Sequence, residues 1–255
     1  MQKLLLFLLC FSFSIGINAQ KAISLGKFKI TKFRISTGED NDMINNMNYT
    51  YFVNQIGQNQ DFPFRNEEFP SANFHSGVCE NPNFSIGLTL THPKLKNFEW
   101  RNTFNIMKNR NDAVNYYDPR ANNGEYISFY GSHNEFGLES ALLYQLKVLP
   151  FLNLYGGVGT NIGLTTNNSI CYSAYFNMDE NEIDTRSDSD MFGCYDTGTM
   201  VNQRLFYELG VGVELFKRVE LGFNVRNGIG YRAGNGHTVG TRLQSANLSL
   251  SYILR

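Results

Sequence analysis

Apolar residues alternate with polar or small residues along most of this sequence, and this alternation constrains the fold more than any other feature. Between residues 207 and 215, for example, tyrosine, leucine and valine occupy the odd positions, and glutamate and glycine occupy the even ones. Successive side chains of a strand point to opposite faces, so this period predicts strands with one apolar face and one polar face. Helical spacing is not sustained anywhere, which predicts an all-β protein. Eight segments carry the alternation, the first least regularly: 27–35, 84–91, 98–108, 134–147, 152–164, 204–215, 219–232 and 245–254.

The connections between these segments alternate between short and long. The short ones are 92–97, 148–150 and 217–218; the long or glycine-rich ones are 36–83, 109–126, 165–202 and 234–240. In a soluble sandwich with Greek-key crossings, short and long connections are not required to alternate. In an outer-membrane barrel they alternate, because the periplasmic turns are short and the external loops are long. We therefore predict an eight-stranded antiparallel up-and-down transmembrane β-barrel, with ten strands as the alternative count.

The chemistry of the two faces favours a membrane. The polar set is rich in glycine, serine, asparagine and threonine as well as in charge, and the apolar set carries aromatic residues near the strand ends. Aromatic belts of this kind lie at the two interfaces of a membrane barrel. A soluble, lipocalin-like barrel with the apolar set inside is the alternative. The predicted aromatic girdles are Trp100, Tyr144 and Tyr252 near the short turns, and Phe84, Phe136 and Tyr231 near the long loops.

With these features the chain resembles the small eight-stranded outer-membrane barrels of Gram-negative bacteria, the OmpA- and OmpX-like proteins. More narrowly, it resembles the proteins with an "outer membrane protein beta-barrel domain". The last segment, ANLSLSYILR, is similar to the C-terminal insertion signal of that family in its alternating apolar residues. The resemblance implies a place in the cell outer membrane, contact with outer-membrane lipid and a porin-like fold.

The N-terminus is typical of a secretory signal peptide. Residues 1–19 read MQKLLLFLLCFSFSIGINA, with Lys3 before an apolar run and a small residue before Gln20. This order of charge, apolar run and cleavage site is that of a cleaved signal. The run is too short to span a bilayer comfortably. We predict a signal peptide at 1–19 and a single barrel domain at 20–255.

Three cysteines follow the predicted signal peptide: Cys79, Cys171 and Cys194. An exported protein meets an oxidising compartment, so a disulfide is expected. Cys171 and Cys194 flank one polar stretch and are the predicted pair, which leaves Cys79 free or intermolecular. No CxxC motif or histidine cluster accompanies them, so neither a metal site nor a cofactor is predicted.

The predicted polar face contains many charges that would point into the barrel. An eight-stranded barrel has room only for its own side chains or one small ligand. Isolated buried charges are costly, so opposite charges should pair and plug the lumen. A narrow path for ions or small solutes is the alternative. The predicted lumen network is Glu99, Arg101, Glu135, Glu139, Arg204, Glu208, Glu214, Glu220, Arg226 and Arg232.

Other functions are less favoured by the sequence. The formal net charge of −1 argues against a nucleic-acid partner, because such a partner requires a basic surface. A lipid-modifying enzyme needs a nucleophile beside its base, but a period of two places Ser132 and His133 on opposite faces. We therefore predict no catalytic residues and a structural or surface-interaction role, with a possible extracellular partner for the long loops. Aromatic residues of the first long loop predict a packed extension or a contact surface: Tyr49, Tyr51, Phe52, Phe62, Phe64, Phe69 and Phe74.

Overall fold

The computed structural model describes residues 23–44, 49–56, 71–73, 81–117, 126–175, 191–234 and 237–254. The predicted signal peptide and Cys79 lie outside these ranges. Within them, no helix has the length and apolar character needed to cross a membrane. The elements in chain order are β1 (Ile23–Leu25), β2 (Phe28–Ile44), α1 (Tyr49–Ile56), β3 (Ser71–Asn73), β4 (Asn81–Thr91), β5 (Phe98–Tyr117), β6 (Tyr126–Leu149), β7 (Leu152–Tyr175), β8 (Met191–Asp196), β9 (Val201–Leu215), β10 (Val219–Gly234) and β11 (His237–Ile253).

Eight of these strands form a closed ring in which all neighbours are antiparallel. The order is β2, β4, β5, β6, β7, β9, β10 and β11, and β11 pairs with β2 again. The predicted eight-stranded up-and-down barrel is therefore confirmed. The remaining strands β1, β3 and β8 are additions that pair with β2, β5 and β7 respectively.

The ring closes with a stagger. Starting from Lys29 of β2, each step goes to the paired residue on the next strand of the ring. This path passes Leu143 of β6 and Glu208 of β9 and returns to β2 at Asp40, not at Lys29. This displacement is the shear that strands acquire when they tilt against the barrel axis. Residues at the same height in the lumen therefore come from different rows of the hydrogen-bond ladder.

Side-chain burial follows the predicted alternation. Glu208 is 0% exposed, whereas its neighbour Leu209 is 57% exposed, and the other ring strands repeat this contrast. The outward set is largely apolar, and the inward set is largely polar or small. This is the distribution of a transmembrane barrel and the reverse of that in a soluble one. The most exposed large apolar side chains of the ring are Leu138, Val158, Leu205, Ile229 and Leu248.

Five ring strands extend well beyond the segments in which the sequence alternates; among them, β2 continues to Ile44 and β11 begins at His237. β5 continues to Tyr117, β6 begins at Tyr126, and β7 continues to Tyr175. With β3 on β5 and β8 on β7, they form a sheet that rises from the external end of the ring. Its inward side chains include the fully buried Ile127 and Phe129. Inward residues of β6 thus include apolar side chains in this extension and polar ones lower down, which obscures the alternation of apolar and polar residues in the sequence. All four predicted long or glycine-rich connections are therefore shorter than expected.

The short helix α1 packs against the inner face of this extension. Phe52, Val53 and Ile56 are buried on one side of the helix, and Phe52 stacks on Phe129 with ring centroids 4.8 Å apart. The helix contacts β7 and β11, which the ring separates by β9 and β10, so α1 lies over the external mouth. A space of about 20 Å³ remains beside Phe52 and Arg232, enough for a single water molecule. Part of the first long loop is therefore an apolar cap.

Candidate functional site: the polar lumen

The centre of the lumen holds a chain of charged side chains that joins opposite walls. Arg101 of β5 and Arg226 of β10 both donate hydrogen bonds to Glu208 of β9, the latter from Nε to Oε2 at 3.0 Å. Arg226 also donates to both oxygens of Glu139 on β6, at 2.7 and 2.8 Å. In the ring, β5 is separated from β9 by two strands, and so is β6 from β10. These contacts therefore cross the lumen.

A second group of charges lies nearer the short turns. The Nζ atom of Lys32 on β2 is 2.9 Å from Oε1 of Glu99 on β5 and 3.0 Å from Oε2 of Glu220 on β10. Asn153 of β7 donates to the same oxygen of Glu220 at 3.3 Å. One ammonium thus neutralises two buried carboxylates from different walls, as buried charges require.

A third group lies toward the external end, beneath the cap. Glu135 of β6 is 0% exposed and accepts hydrogen bonds from Arg204 Nη2 at 3.0 Å and from Asn202 Nδ2 at 2.7 Å, both on β9. Arg232 of β10 donates from Nε to Oδ1 of Asn202 at 3.1 Å. Because Arg232 also borders the small space beside Phe52, this group connects the polar lumen to the apolar cap.

Aromatic rings fill space beside the central charges. The guanidinium of Arg101 lies 5.1 Å from the ring centroid of Tyr155, and that of Arg226 lies 5.1 Å from the centroid of Phe206. Such contacts are attractive because a cation interacts with the negative face of the ring. A Cβ atom at Gly210 would overlap the ring of Tyr155, so glycine there allows the ring to lie against the wall. The lumen at this level is packed with side chains.

Nine of the ten predicted lumen residues belong to these three groups. The tenth, Glu214, faces the lumen near the short-turn end, where it is half-buried and pairs in register with Glu220. Sequence reasoning missed Lys32 and Arg34, although the latter is buried and donates from Nη2 to Oδ1 of Asn224 at 2.8 Å. The alternation of Lys32, Arg34 and Ser36 was the available signal. It was obscured because the ladder shifts by one residue after Ile30.

The residues predicted as aromatic girdles lie on the outer wall. The four that carry a polar atom all use it locally. Trp100 donates from Nε1 to Ser140 Oγ at 2.7 Å, and the hydroxyl of Tyr252 accepts from Arg218 Nη1 at 3.3 Å. The hydroxyl of Tyr144 accepts from Asn97 Nδ2 at 3.3 Å, and that of Tyr231 donates to Oε1 of Gln203. An amphipathic ring with its polar atom satisfied suits an interface between water and hydrocarbon. Four members are exposed, namely Trp100, Phe136, Tyr144 and Tyr231, and two are half-buried, namely Phe84 and Tyr252.

The described residues do not assemble a catalytic group at the external end. His133 is buried on the inner face, whereas Ser132 next to it faces the other way, as the period of two predicts. Across the described ranges, histidine, cysteine, aspartate and glutamate side chains form no group of three that could hold a metal ion.

The predicted disulfide between Cys171 and Cys194 is present in the structure. The two cysteines face each other in the ladder between β7 and β8, so the bond crosses a β-hairpin and does not close a loop without secondary structure. One residue further along each strand, Tyr172 and Tyr195 stack with ring centroids 6.1 Å apart. Burial, followed by the neighbouring Tyr195, raises the pKa of the Tyr172 hydroxyl above its ordinary value.

Replacing both Cys171 and Cys194 by serine should loosen the hairpin and leave the ring intact. Closing a loop of this length contributes roughly 3 kcal/mol in the chain-entropy model, but none of the ring ladders includes β8. In intact cells, added protease should cleave the double variant between β7 and β8 much faster than the wild type. Its faster migration on unboiled SDS gels, which reports a closed barrel, should persist. Loss of that migration would show that the bond stabilises the ring itself.

Comparison with known proteins adds context to this architecture. No protein-family model and no curated protein sequence matches the chain. The fold is that of a small outer-membrane barrel, as the closed ring of eight strands shows. Solved structures similar to it include Neisserial surface protein A, with 9% sequence identity, a TM-score of 0.40 and coverage of 89% of this chain and 97% of that one.

Two further solved structures resemble the chain to a similar extent. The outer membrane protein OprG from Pseudomonas aeruginosa has 10% identity and a TM-score of 0.39, covering 89% of this chain and 97% of that one. Ail, the attachment invasion locus protein of Yersinia pestis, was solved with the heparin analogue sucrose octasulfate. It has 10% identity and a TM-score of 0.30, covering 86% of this chain and 99% of that one.

Proposed function

We propose that this protein is an integral outer-membrane barrel with a closed lumen, and that it acts through the structured surface that it raises above the membrane. The observation that carries the proposal is the set of charged contacts across the lumen, together with the apolar cap of α1 over its external mouth. A conducting pore needs a continuous aqueous path. Side chains from non-adjacent strands that meet inside the barrel at three levels obstruct such a path.

Several features support a location in the cell outer membrane. The outer wall is apolar between two sets of aromatic residues, and the strands that cross it are joined by short turns at one end. The N-terminal segment has the order of charge, apolar run and small residue that directs export. In this proposal the short turns lie in the periplasm, and α1 and the β7–β8 hairpin lie outside the cell.

The external surface is the part of the molecule suited to an extracellular partner. The extension of β5, β6 and β7 continues the ring ladders, carries an apolar core of its own and bears a hairpin held by a disulfide. A rigid platform lowers the entropic cost of binding. We assign no enzymatic activity to the protein, because the charged side chains of the three lumen groups pair with each other.

Conductance across planar bilayers tests this proposal. The refolded wild-type protein should show no resolved single channels, because the charged groups fill the lumen. The variant Arg226→Ala with Glu139→Ala removes one cross-lumen contact but leaves the groups around Lys32 and Glu135 in place, so it should show no resolved channels either. Well-resolved channels from the wild-type protein would overturn the closed-lumen proposal and favour the alternative of a narrow path for ions or small solutes.

A further inference from the structure

The outer wall has one groove where its chemistry departs from that of a lipid-facing surface. A depression of about 470 Å³ lies over β2, β9, β10 and β11. Its volume falls within the range of small-molecule sites. Three of its polar side chains lie side by side, because Gln244 of β11 pairs in register with Asn41 of β2 and with Asn227 of β10. Glu39 lies two residues before Asn41 on the same outward face.

These four polar side chains make no hydrogen bond or ion pair within the described part of the chain. Two outward polar groups elsewhere on the wall do have partners: Ser140 accepts from Trp100, and Thr37 donates to the backbone oxygen of Asn83 at 2.9 Å. A carboxylate and three amides that face lipid without partners are unfavourable, because hydrocarbon offers no hydrogen bonds. Their cluster around a groove points to a ligand that supplies the missing donors.

The groove is also polarised along the membrane normal. Its apolar side chains Leu209, Val225 and Ala246 lie closer to the short turns than the row of three amides. A molecule with a polar head toward the external surface and a hydrocarbon tail toward the bilayer centre would match this arrangement. The site therefore faces molecules dissolved in the membrane.

We infer that this groove binds a membrane-dissolved amphiphile whose head is a hydrogen-bond-donating cation of the alkylammonium type. An ammonium group has three donors and no acceptor. The Glu39 carboxylate supplies the opposite charge, and the amide oxygens of Asn41, Asn227 and Gln244 accept further hydrogen bonds. At Glu39 an anionic head would be repelled; the outward cation Arg242 lies beyond Gln244 toward the external end of β11 and does not line the groove. A head without donors would leave all four groups unsatisfied.

Photoreactive dodecyl probes test this site directly. The full-length protein is refolded in phosphatidylcholine vesicles, whose choline headgroup has no N–H donor, and labelled with diazirine forms of dodecylamine, dodecanol or dodecyl sulfate. Dodecylamine should label peptides of the groove about tenfold more than peptides of the opposite wall around Leu138 and Val158, as expected of a charge-assisted hydrogen bond. Dodecanol should show much weaker enrichment, and dodecyl sulfate none.

Two variants separate specific binding from general partitioning into the wall. Glu39→Gln keeps the size of the side chain and should remove most of the enrichment of dodecylamine, with unchanged labelling by dodecanol. Thr37→Val alters a neighbouring outward side chain that already has a partner and should leave the labelling pattern intact. The same labelling pattern for amine and alcohol, or an unchanged pattern in Glu39→Gln, would overturn the inference. Cross-links between groove peptides of two copies, with no enrichment of the amine, would overturn it in favour of self-association.

Discussion

Replacing Glu208 with alanine is expected to lower the free energy of unfolding by about 3–5 kcal/mol. Its carboxylate is fully buried and accepts hydrogen bonds from both Arg101 and Arg226. Without it, two guanidinium groups would remain in a closed lumen as like charges, and Arg101 would lose its ion pair. Truncating one member of a buried charge network is more damaging than losing the contact alone, since the other members stay desolvated.

Urea-induced unfolding of the protein from lipid vesicles measures this change. Glu214→Ala is the matched control, because Glu214 lies on the same strand and the same face but is half-exposed near the short turns. Water can solvate the polar groups around position 214 after the substitution, so the free energy of unfolding should fall by less than about 1 kcal/mol. Equal losses for the two variants would show that the central network contributes nothing specific.

A compensated variant distinguishes an uncompensated charge from lost packing. Glu208→Leu combined with Arg101→Leu, Arg226→Leu and Glu139→Gln removes all four charges of the central group and should recover much of the stability lost in Glu208→Ala. Glu139→Gln is neutral and keeps an acceptor for the hydrogen bond that Asn105 donates at 3.2 Å. Failure to recover stability would show that the packing of these side chains, and not their charge, determines the free energy of unfolding at this level of the lumen.

The ring of the barrel was predictable from the sequence because each face of its strands meets a different solvent. Leu209 and Glu208 are adjacent, yet one faces lipid and the other is enclosed with charged side chains. A period of two is the direct consequence of that contrast. The short turns indicate which strands are neighbours, because two antiparallel strands can be joined by only a few residues.

The first ring strand shows where such a pattern fails. A bulge between Ile30 and Lys32 moves the following residues by one position in the ladder. Because one extra residue exchanges the two faces, Lys32 and Arg34 were not assigned to the lumen although both are buried there. A bulge depends on hydrogen bonds to the neighbouring strand and leaves no clear mark in a single sequence.

The external cap was not predictable for a different reason. Phe52, Val53 and Ile56 form an apolar face of barely two helical turns, which is too short for helical periodicity to be recognised. Phe129, on which Phe52 stacks, and the buried Ile127 of the same strand are distant in sequence from the helix and face inward above the polar part of the lumen. Apolar side chains are favourable at these inward positions because the helix lies over them.

The groove on the outer wall depends on register alone. Asn41, Asn227 and Gln244 are unremarkable polar residues in three separate segments. Only the ladders from β10 through β11 to β2 place them side by side. A site assembled across strands in this way cannot be found from spacing within any one segment.

Replacing Val158 with arginine should destabilise the inserted barrel by about 2–4 kcal/mol and reduce the yield of assembled protein. Val158 lies midway along the ring portion of β7, is 65% exposed and has the exposed residues Leu142 and Tyr207 as its ladder partners. An arginine there would face hydrocarbon and would bring a charge among apolar side chains. Its long side chain would have to reach toward an interface, which lowers the cost only in part.

Val148→Arg makes the same chemical change at the short-turn end of the neighbouring strand β6, where Val148 is 50% exposed. Headgroups and water are within reach at that height, so the effect should fall to about 0–1 kcal/mol. The two variants carry the same added charge and differ mainly in depth, so their difference in urea-induced unfolding reports where the hydrocarbon lies along the wall. If Val148→Arg were as damaging as Val158→Arg, the short turns would lie inside the apolar layer. If neither had an effect, the apolar outer wall would not face lipid at all.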